Sequence, residues 1–141
     1  MESVSIQEYF KNDAFAAAIG VELIEAGNGF ARSRMKIEPM HLNGGGVCQG
    51  GAIFTLADFT FAVAANSHAQ LTFSINSDIR FFKSEKNGYL YAEAHEVFNG
   101  RRLSNCEVKI TNEQGDLVAT FNATGYRKDV TLPFEPIENK E

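Results

Sequence analysis

Between His41 and Asp58 the chain reads HLNGGGVCQGGAIFTLAD, a glycine-rich polar turn followed at once by an apolar run that carries one carboxylate, Asp58. An aspartate inside a helix costs roughly half a kcal/mol relative to alanine, and a buried ionised carboxylate must be paired. Cores avoid such a group, and perturbed buried acids cluster at functional sites. The turn supplies complementary chemistry. A helix start leaves backbone N–H groups unpaired, and its dipole favours negative charge. Gly50 and Gly51 would let a substrate approach those N–H groups closely. A carbonyl oxygen becoming an oxyanion would be stabilised there. Asn43 and Gln49 add neutral donors and acceptors able to hold a water or a carbonyl. An oxyanion site, a polar water holder and a carboxylate base together describe hydrolysis of a carbonyl compound.

Spacing sharpens this reading. Gly50 and Asp58 are eight residues apart, which is ~12 Å along one helix axis. A single carbonyl cannot lie within ~3 Å of both an oxyanion donor and a base at that separation. Either the helix is distorted, or the two groups meet across a subunit interface, twice in a symmetric dimer.

The elements that must position these groups follow from periodicity. SIQEYFKNDAFAAAIG predicts one short amphipathic helix stopped by Gly20. VELIEA and GFARSRMKI flank GNG and read as a hairpin. GAIFTLADFTFAVAAN, residues 51–66, is apolar almost all round, which predicts a buried helix. LTFSINSDIRFF alternates, with Leu71, Phe73, Ile75, Ile79 and Phe81 on the buried side and Thr72, Ser74, Asn76, Asp78 and Arg80 opposite. YLYAEAHEVF, LSNCEVKITN and LVATFNATGY then complete a four-strand meander, with Asn87-Gly88 and Asn99-Gly100 as hairpin signals. The expected class is α+β: an antiparallel sheet of five to six strands wrapped around a long central helix. Residues 1–141 form one domain, with 128–141 as a poorly ordered tail.

Composition narrows the function classes. Twelve phenylalanines and no tryptophan predict a Phe-rich core. A net charge of -5 argues against a general nucleic-acid binder but leaves room for a small basic pocket. No segment approaches the ~20 apolar residues of a spanning helix, and the start has no signal-peptide pattern, so the expectation is a cytoplasmic protein without a membrane partner. Cys48 and Cys106 read as reduced thiols.

The His41–Asp58 stretch resembles the signature of hotdog-fold acyl-CoA thioesterases of the phenylacetic-acid-degradation (PaaI-like) type. The resemblance runs in order from about residue 8 to 128. It implies that Asp58 is general base or nucleophile, that Gly50 gives the oxyanion N–H, and that Asn43 helps to place water. Ser74 matches the residue that supports the acid. It also implies an active site shared between subunits of a homodimer or homotetramer, and an acyl-CoA substrate with no cofactor beyond the coenzyme A that the substrate carries. Gln49 stands where the family usually has histidine. A glutamine amide can donate to a thioester carbonyl but cannot relay a proton. That departure keeps a non-catalytic acyl-CoA or fatty-acyl binding module on the same fold as the alternative. A hotdog dehydratase would pair a histidine with an acid on the helix, and residues 50–66 contain no histidine.

The remaining candidates have bland readings. His41 orients the loop; His68 and His95 are surface histidines. His41, Cys48 and Asp58 have poor spacing for a metal site, so none is expected. Cys48 as a nucleophile would need a nearby base. Arg101 and Arg102 sit at a hairpin tip, and Arg127 and Lys128 follow the last strand. Each alone reads as solvated charge, but together they are expected to hold the phosphates of coenzyme A.

Overall fold

The computed structural model describes residues 3–138. The helix expected before Gly20 is two helices, α1 (Ile6–Phe10) and α2 (Ala14–Ala18). The break has a local cause. Ser5 Oγ accepts the Glu8 N–H (3.1 Å) to start α1, and Asp13 Oδ1 accepts the Ala16 N–H (3.1 Å) to start again. Gly20, at φ +87°, ends the segment as expected. Strands β1 (Val21–Gly27) and β2 (Phe30–Lys36) form the hairpin around Asn28-Gly29. Helix α3 (Gly50–Ala65) follows, then β3 (Gln70–Phe81), β4 (Tyr89–Asn99), β5 (Leu103–Thr111) and β6 (Leu117–Thr131).

All six strands form one antiparallel sheet in the order β1-β2-β4-β5-β6-β3. The expected four-strand meander is therefore only three strands long. β3 pairs with β6 at the far edge, and Asn87-Gly88 lies in a crossover instead of a tight hairpin. Alternation defines the faces of β3 but not its neighbour. The crossover is held by backbone bonds from Cys48 N–H to Glu85 O (2.8 Å) and from Ile37 N–H to Gly88 O (2.9 Å).

The expected faces of β3 also need correction. A register shift between Ser74 and Asn76 leaves Ile75 unpaired, so the alternation changes side there. Thr72 and Ser74 oppose Arg127 and Gly125 on the inner row, followed by Ser77, Ile79 and Phe81, while Phe73 and Asn76 oppose Tyr126 and Thr124 on the outer row. Phe73, Ile75 and Phe81 remain 54, 61 and 51% exposed.

The sheet wraps α3 with an inner face rich in small residues: Ala31, Ala92, Ala94, Ala119 and Ala123 are buried. Small residues let the helix approach, and the bulk comes from α3 itself through Ile53, Leu56, Phe59 and Phe61. The helix is not buried all round. Gly51, Thr55, Asp58 and Ala62, at spacings of four, three and four, form a partly exposed stripe. The core is less Phe-rich than expected, because Phe15, Phe73, Phe81, Phe82 and Phe98 are all exposed. The expected loose tail is also corrected over 128–138. β6 runs to Thr131, Leu132 and Phe134 are buried, and Ile137 N–H bonds Ser67 O (2.9 Å). Residues 139–141 lie outside the described residues.

Asn66 fastens the end of α3 to the sheet. Its Nδ2 donates to Ala62 O (2.8 Å) and Thr72 O (3.1 Å), and its Oδ1 accepts the Thr72 N–H (2.8 Å). Asn66→Ala would orphan buried backbone groups, each worth about 1–3 kcal/mol. Urea denaturation should show a loss of at least that size, whereas Thr55→Ala on the open stripe should stay within about 0.5 kcal/mol of wild type.

Candidate active site

The loop before α3 is a small closed structure. Leu42 bridges Cys48, and Asn43 Oδ1 accepts the N–H groups of Gly45 (2.9 Å) and Val47 (3.2 Å). Gly46, at φ +80°, supplies the left-handed residue that closes the turn. The oxygen of Asn43 thus shapes the loop, and its Nδ2 makes no hydrogen bond among the described residues. His41 is buried and uses both ring nitrogens. Nδ1 accepts the Glu38 N–H (2.8 Å), and Nε2 donates to Ile19 O (2.7 Å). It orients the loop against α2, as its position suggested.

Gln49 caps α3 through its backbone, with Gln49 O accepting from Ala52 (3.0 Å) and Ile53 (3.3 Å). The Gly50 and Gly51 N–H groups therefore have no acceptor among the described residues. The Gln49 side chain folds back over Gly51, where a Cβ would meet its Oε1 at 2.7 Å. Phe81 lies over Gly50 in the same way: a Cβ there would meet the ring at 2.9 Å. A side chain at 50 would therefore have to push this half-exposed ring aside, and no positive φ calls for glycine there.

Asp58 projects from the open stripe, half-buried, with no hydrogen bond or ion pair among the described residues. Burial pushes its carboxyl above the usual carboxylate range, and the like charge of Asp13 adds to that. In one chain Asp58 does not meet Gly50; the intervening helix is regular and keeps them ~12 Å apart. Ser74 is exposed on the sheet edge, its Oγ 3.4 Å from Ser77 Oγ, and makes no hydrogen bond to Asp58.

A cleft of about 330 Å³ opens beside Gln49 and Gly51, walled by Phe15, Ile19, Met40, His41 and Ala52. Phe15 and Met40 are 66 and 65% exposed. The roles of Phe15, Met40, Phe81 and Asp13 carry no local sequence signal; only the folding of α1, α2 and β3 around the start of α3 brings them in. Cys48 is a buried free thiol that burial pushes up to about 11, which removes it as a nucleophile near neutrality.

The basic residues divide. Arg101 is exposed, as is Lys128. Arg102 makes a two-pronged pair with Asp129 (2.9 and 3.0 Å). Arg127, expected at a solvated tip, is only 5% exposed. The alternation of β6 turns it inward after Phe121, Ala123 and Gly125. His68 is also not a plain surface residue: its Nε2 lies 2.9 Å from Glu96 Oε1, and both side chains are largely buried. No described helix is long and apolar enough to cross a membrane.

Comparisons with known proteins agree with this geometry. The thioesterase superfamily profile matches residues 45–119, from the glycine loop into β6. The acyl-coenzyme A thioesterase PaaI of Escherichia coli K12 is 33% identical over 127 residues, covering 89% of this chain and 91% of the relative. The solved structure of the E. coli PaaI protein from the phenylacetic acid degradation operon superposes with a TM-score of 0.85, covering 89% of this chain and 91% of that one. A hypothetical thioesterase from Streptococcus pneumoniae TIGR4, solved with coenzyme A, has a TM-score of 0.80 at 26% identity, covering 86% of this chain and 96% of its own. The six-stranded sheet around one long helix is the hotdog arrangement, and the chain belongs to the thioesterase superfamily.

Proposed function

We propose that the protein hydrolyses the thioester bond of an acyl-CoA, giving the free acid and coenzyme A, with Asp58 as general base or nucleophile. The Asp58 carboxylate carries this reading: it is half-buried and unpaired among the described residues, on an otherwise apolar helix. The E. coli relative, an acyl-coenzyme A thioesterase, and the coenzyme A bound to the S. pneumoniae protein support the substrate class. In one route Asp58 takes a proton from water as its oxygen attacks the carbonyl carbon. The Gly50 N–H stabilises the oxyanion, and collapse expels the thiolate, which is then protonated. In the other, Asp58 attacks first and expels the thiolate, and water opens the resulting anhydride. Asn43 Nδ2 and the Gln49 amide are the neutral groups that hold water or the carbonyl. The cleft between Phe15 and Met40 suits an aryl or short-to-medium acyl group.

The active unit in this reading is at least a dimer. β3 is a twelve-residue edge strand with exposed Phe73 and Ile75, a surface that invites a second copy. Two α3 helices running antiparallel about Phe54, midway between Gly50 and Asp58, would bring Gly50 of one chain to Asp58 of the other, twice. Ser74, on the same edge, would then support the acid across that contact. The outer cross-strand row of Asn76, Thr124 and Asn105 is uncharged and supports a tetramer of two dimers. The Arg101 and Arg102 tip, with Lys128, is the proposed seat of the coenzyme A phosphates. The tip is joined through Arg127 and Glu96 to His68, just past the end of α3, which sets it apart from Asp58 by a span suited to an extended pantetheine arm.

A panel of acyl-CoA esters with free-thiol detection tests the activity; tight binding without thiol release would instead favour a binding module. Asp58→Asn should keep the fold and lose roughly 10²–10⁴-fold in kcat. Because burial raises the folded-state pKa of Asp58, the neutral form is favoured in the fold. That contribution is complete below the unfolded pKa and lost as pH rises through the folded one. Asp58→Asn should therefore raise Tm at pH 7, with the gain shrinking toward acid pH; near wild-type turnover in a folded variant would sink the assignment. Asp13→Asn keeps an N-cap acceptor and removes the like charge. The acid limb of kcat/KM, where Asp58 loses its charge, should move to lower pH. A limb that stays in position means that another group sets it. Finally, Asp58→Asn subunits should be mixed with Gly50→Pro subunits, which lack that N–H. Each mixed dimer holds one intact site, so activity should reappear; demonstrated exchange without rescue would exclude a shared site.

A further inference from the structure

Arg127 occupies an unexpected place for a residue of a basic tip. It ends the inward row of β6 and faces Thr72 of β3. Its Nη1 donates to Asn99 Oδ1 (2.7 Å) and to Gly100 O (2.7 Å), and its backbone N–H donates to Arg102 O (2.7 Å). One buried residue thus bonds to three residues of the β4–β5 turn. Arg102 answers with Nη1 on Arg127 O (3.1 Å). The turn is closely packed at Gly100, where a Cβ would meet the Phe98 ring at 2.6 Å and Leu103 O at 3.2 Å.

The rest of the guanidinium is poorly satisfied. Nε and Nη2 are buried without a hydrogen-bond partner, and Nη2 lies 3.9 Å from Glu96 Oε2, a charge contact only. Glu96 is itself shared, with His68 Nε2 at 2.9 Å on one oxygen and Ser104 Oγ at 3.0 Å on the other. A buried pair of this kind is a weak source of stability, and apolar replacements are often as stable. Unpaired buried donors add a further cost. What an arginine offers here is reach: Nη1, at the end of the longer guanidinium arm, donates to two acceptors on the turn at once, whereas a lysine nitrogen sits one bond short of that position and an apolar residue has no donor.

We infer that Arg127 is the positioning residue of the coenzyme A tip: it binds no phosphate itself, but fixes the Asn99–Arg102 turn from beneath so that Arg101 and Arg102 meet the nucleotide. This rests on the reading of that tip as the phosphate site. Arg127 acts through the turn, at the nucleotide end of the substrate and away from Asp58. Its influence should therefore fall on binding of the nucleotide half and leave the chemical step alone.

Steady-state kinetics of the full-length protein test this with one acyl group carried on coenzyme A and on pantetheine, which lacks the nucleotide. The variants are Asn99→Ala, Arg127→Lys and the direct-contact double variant Arg101→Ala/Arg102→Ala. All three should raise KM for the acyl-CoA, the first two by about five- to tenfold, with kcat within about twofold. KM for the acyl-pantetheine should not move. Asn99 is exposed, so Asn99→Ala decides the matter if Arg127→Lys fails to fold. If the double variant shows the selective effect and Asn99→Ala does not, the positioning role is overturned while the tip remains the phosphate site. Equal rises for both substrates in Asn99→Ala would also overturn it, since they mean a general structural lesion. If the double variant leaves both KM values unchanged, the tip reading fails and the inference falls with it.

Discussion

Helix α3 is held by the sheet on every side but one, and that packing keeps Gly50 and Asp58 on a single rigid rod. Ile53, Leu56, Ala57, Phe61, Val63 and Ala64 are essentially inaccessible, and Asn66 bolts the far end to β3. The regular helix holds at ~12 Å the N–H groups and the acid that lack partners among the described residues. Two other features of the architecture bear on that separation. The stripe through Gly51, Thr55, Asp58 and Ala62 is partly exposed, and the sheet ends in a long strand with no neighbour on its outer side among the described residues. Both features are liabilities for an isolated subunit and assets for a paired one.

The same constraint explains where the phenylalanines went. A sheet that curls around a helix needs small side chains on its inner face, and five alanines occupy that face. Aromatic bulk is carried by α3 and by Phe121 of β6, or pushed to the rim: Phe15 by the cleft, Phe81 and Phe82 at the end of the edge strand, Phe98 at the hairpin tip. Polar groups are arranged by end. The loop and its N–H groups lie at the start of α3, and the Glu96, His68 and Arg127 cluster lies at its finish. The two ends suit the two halves of a long substrate, a reactive acyl end and a charged nucleotide end.

Much of this was legible in the sequence. The glycine loop, the lone acid and the apolar run from 51 to 66 announced a helix start and a carboxylate on one helix, and the spacing alone left either a distorted helix or a second chain. Periodicity found all six strands, because each carries alternation over at least part of its length. What stayed hidden depended on tertiary choices. One extra residue at Ile75 reverses the faces of half a strand, and no local pattern marks it. The neighbour of β3 is set by a crossover held through Glu85 and Gly88, which periodicity does not encode. Arg127 looked solvated beside Lys128, and only the parity of β6 turned one inward and the other out. Asp13 was part of an apparent continuous helix; its cap, and with it its reach toward Asp58, exists because that helix breaks.

The ring of Phe81 against Gly50 has a consequence for how such a sequence can change. The space a side chain at 50 would need is occupied by the last residue of the edge strand, thirty-one positions away in the chain. A larger residue at 50 becomes sterically acceptable only when the aromatic at 81 shrinks or turns out, and a small residue at 81 would leave the helix start bare to water. Because the Phe81 ring is 51% exposed and meets position 50 with its far end, turning out is the cheaper of the two responses, and the same movement would uncover the Gly50 N–H.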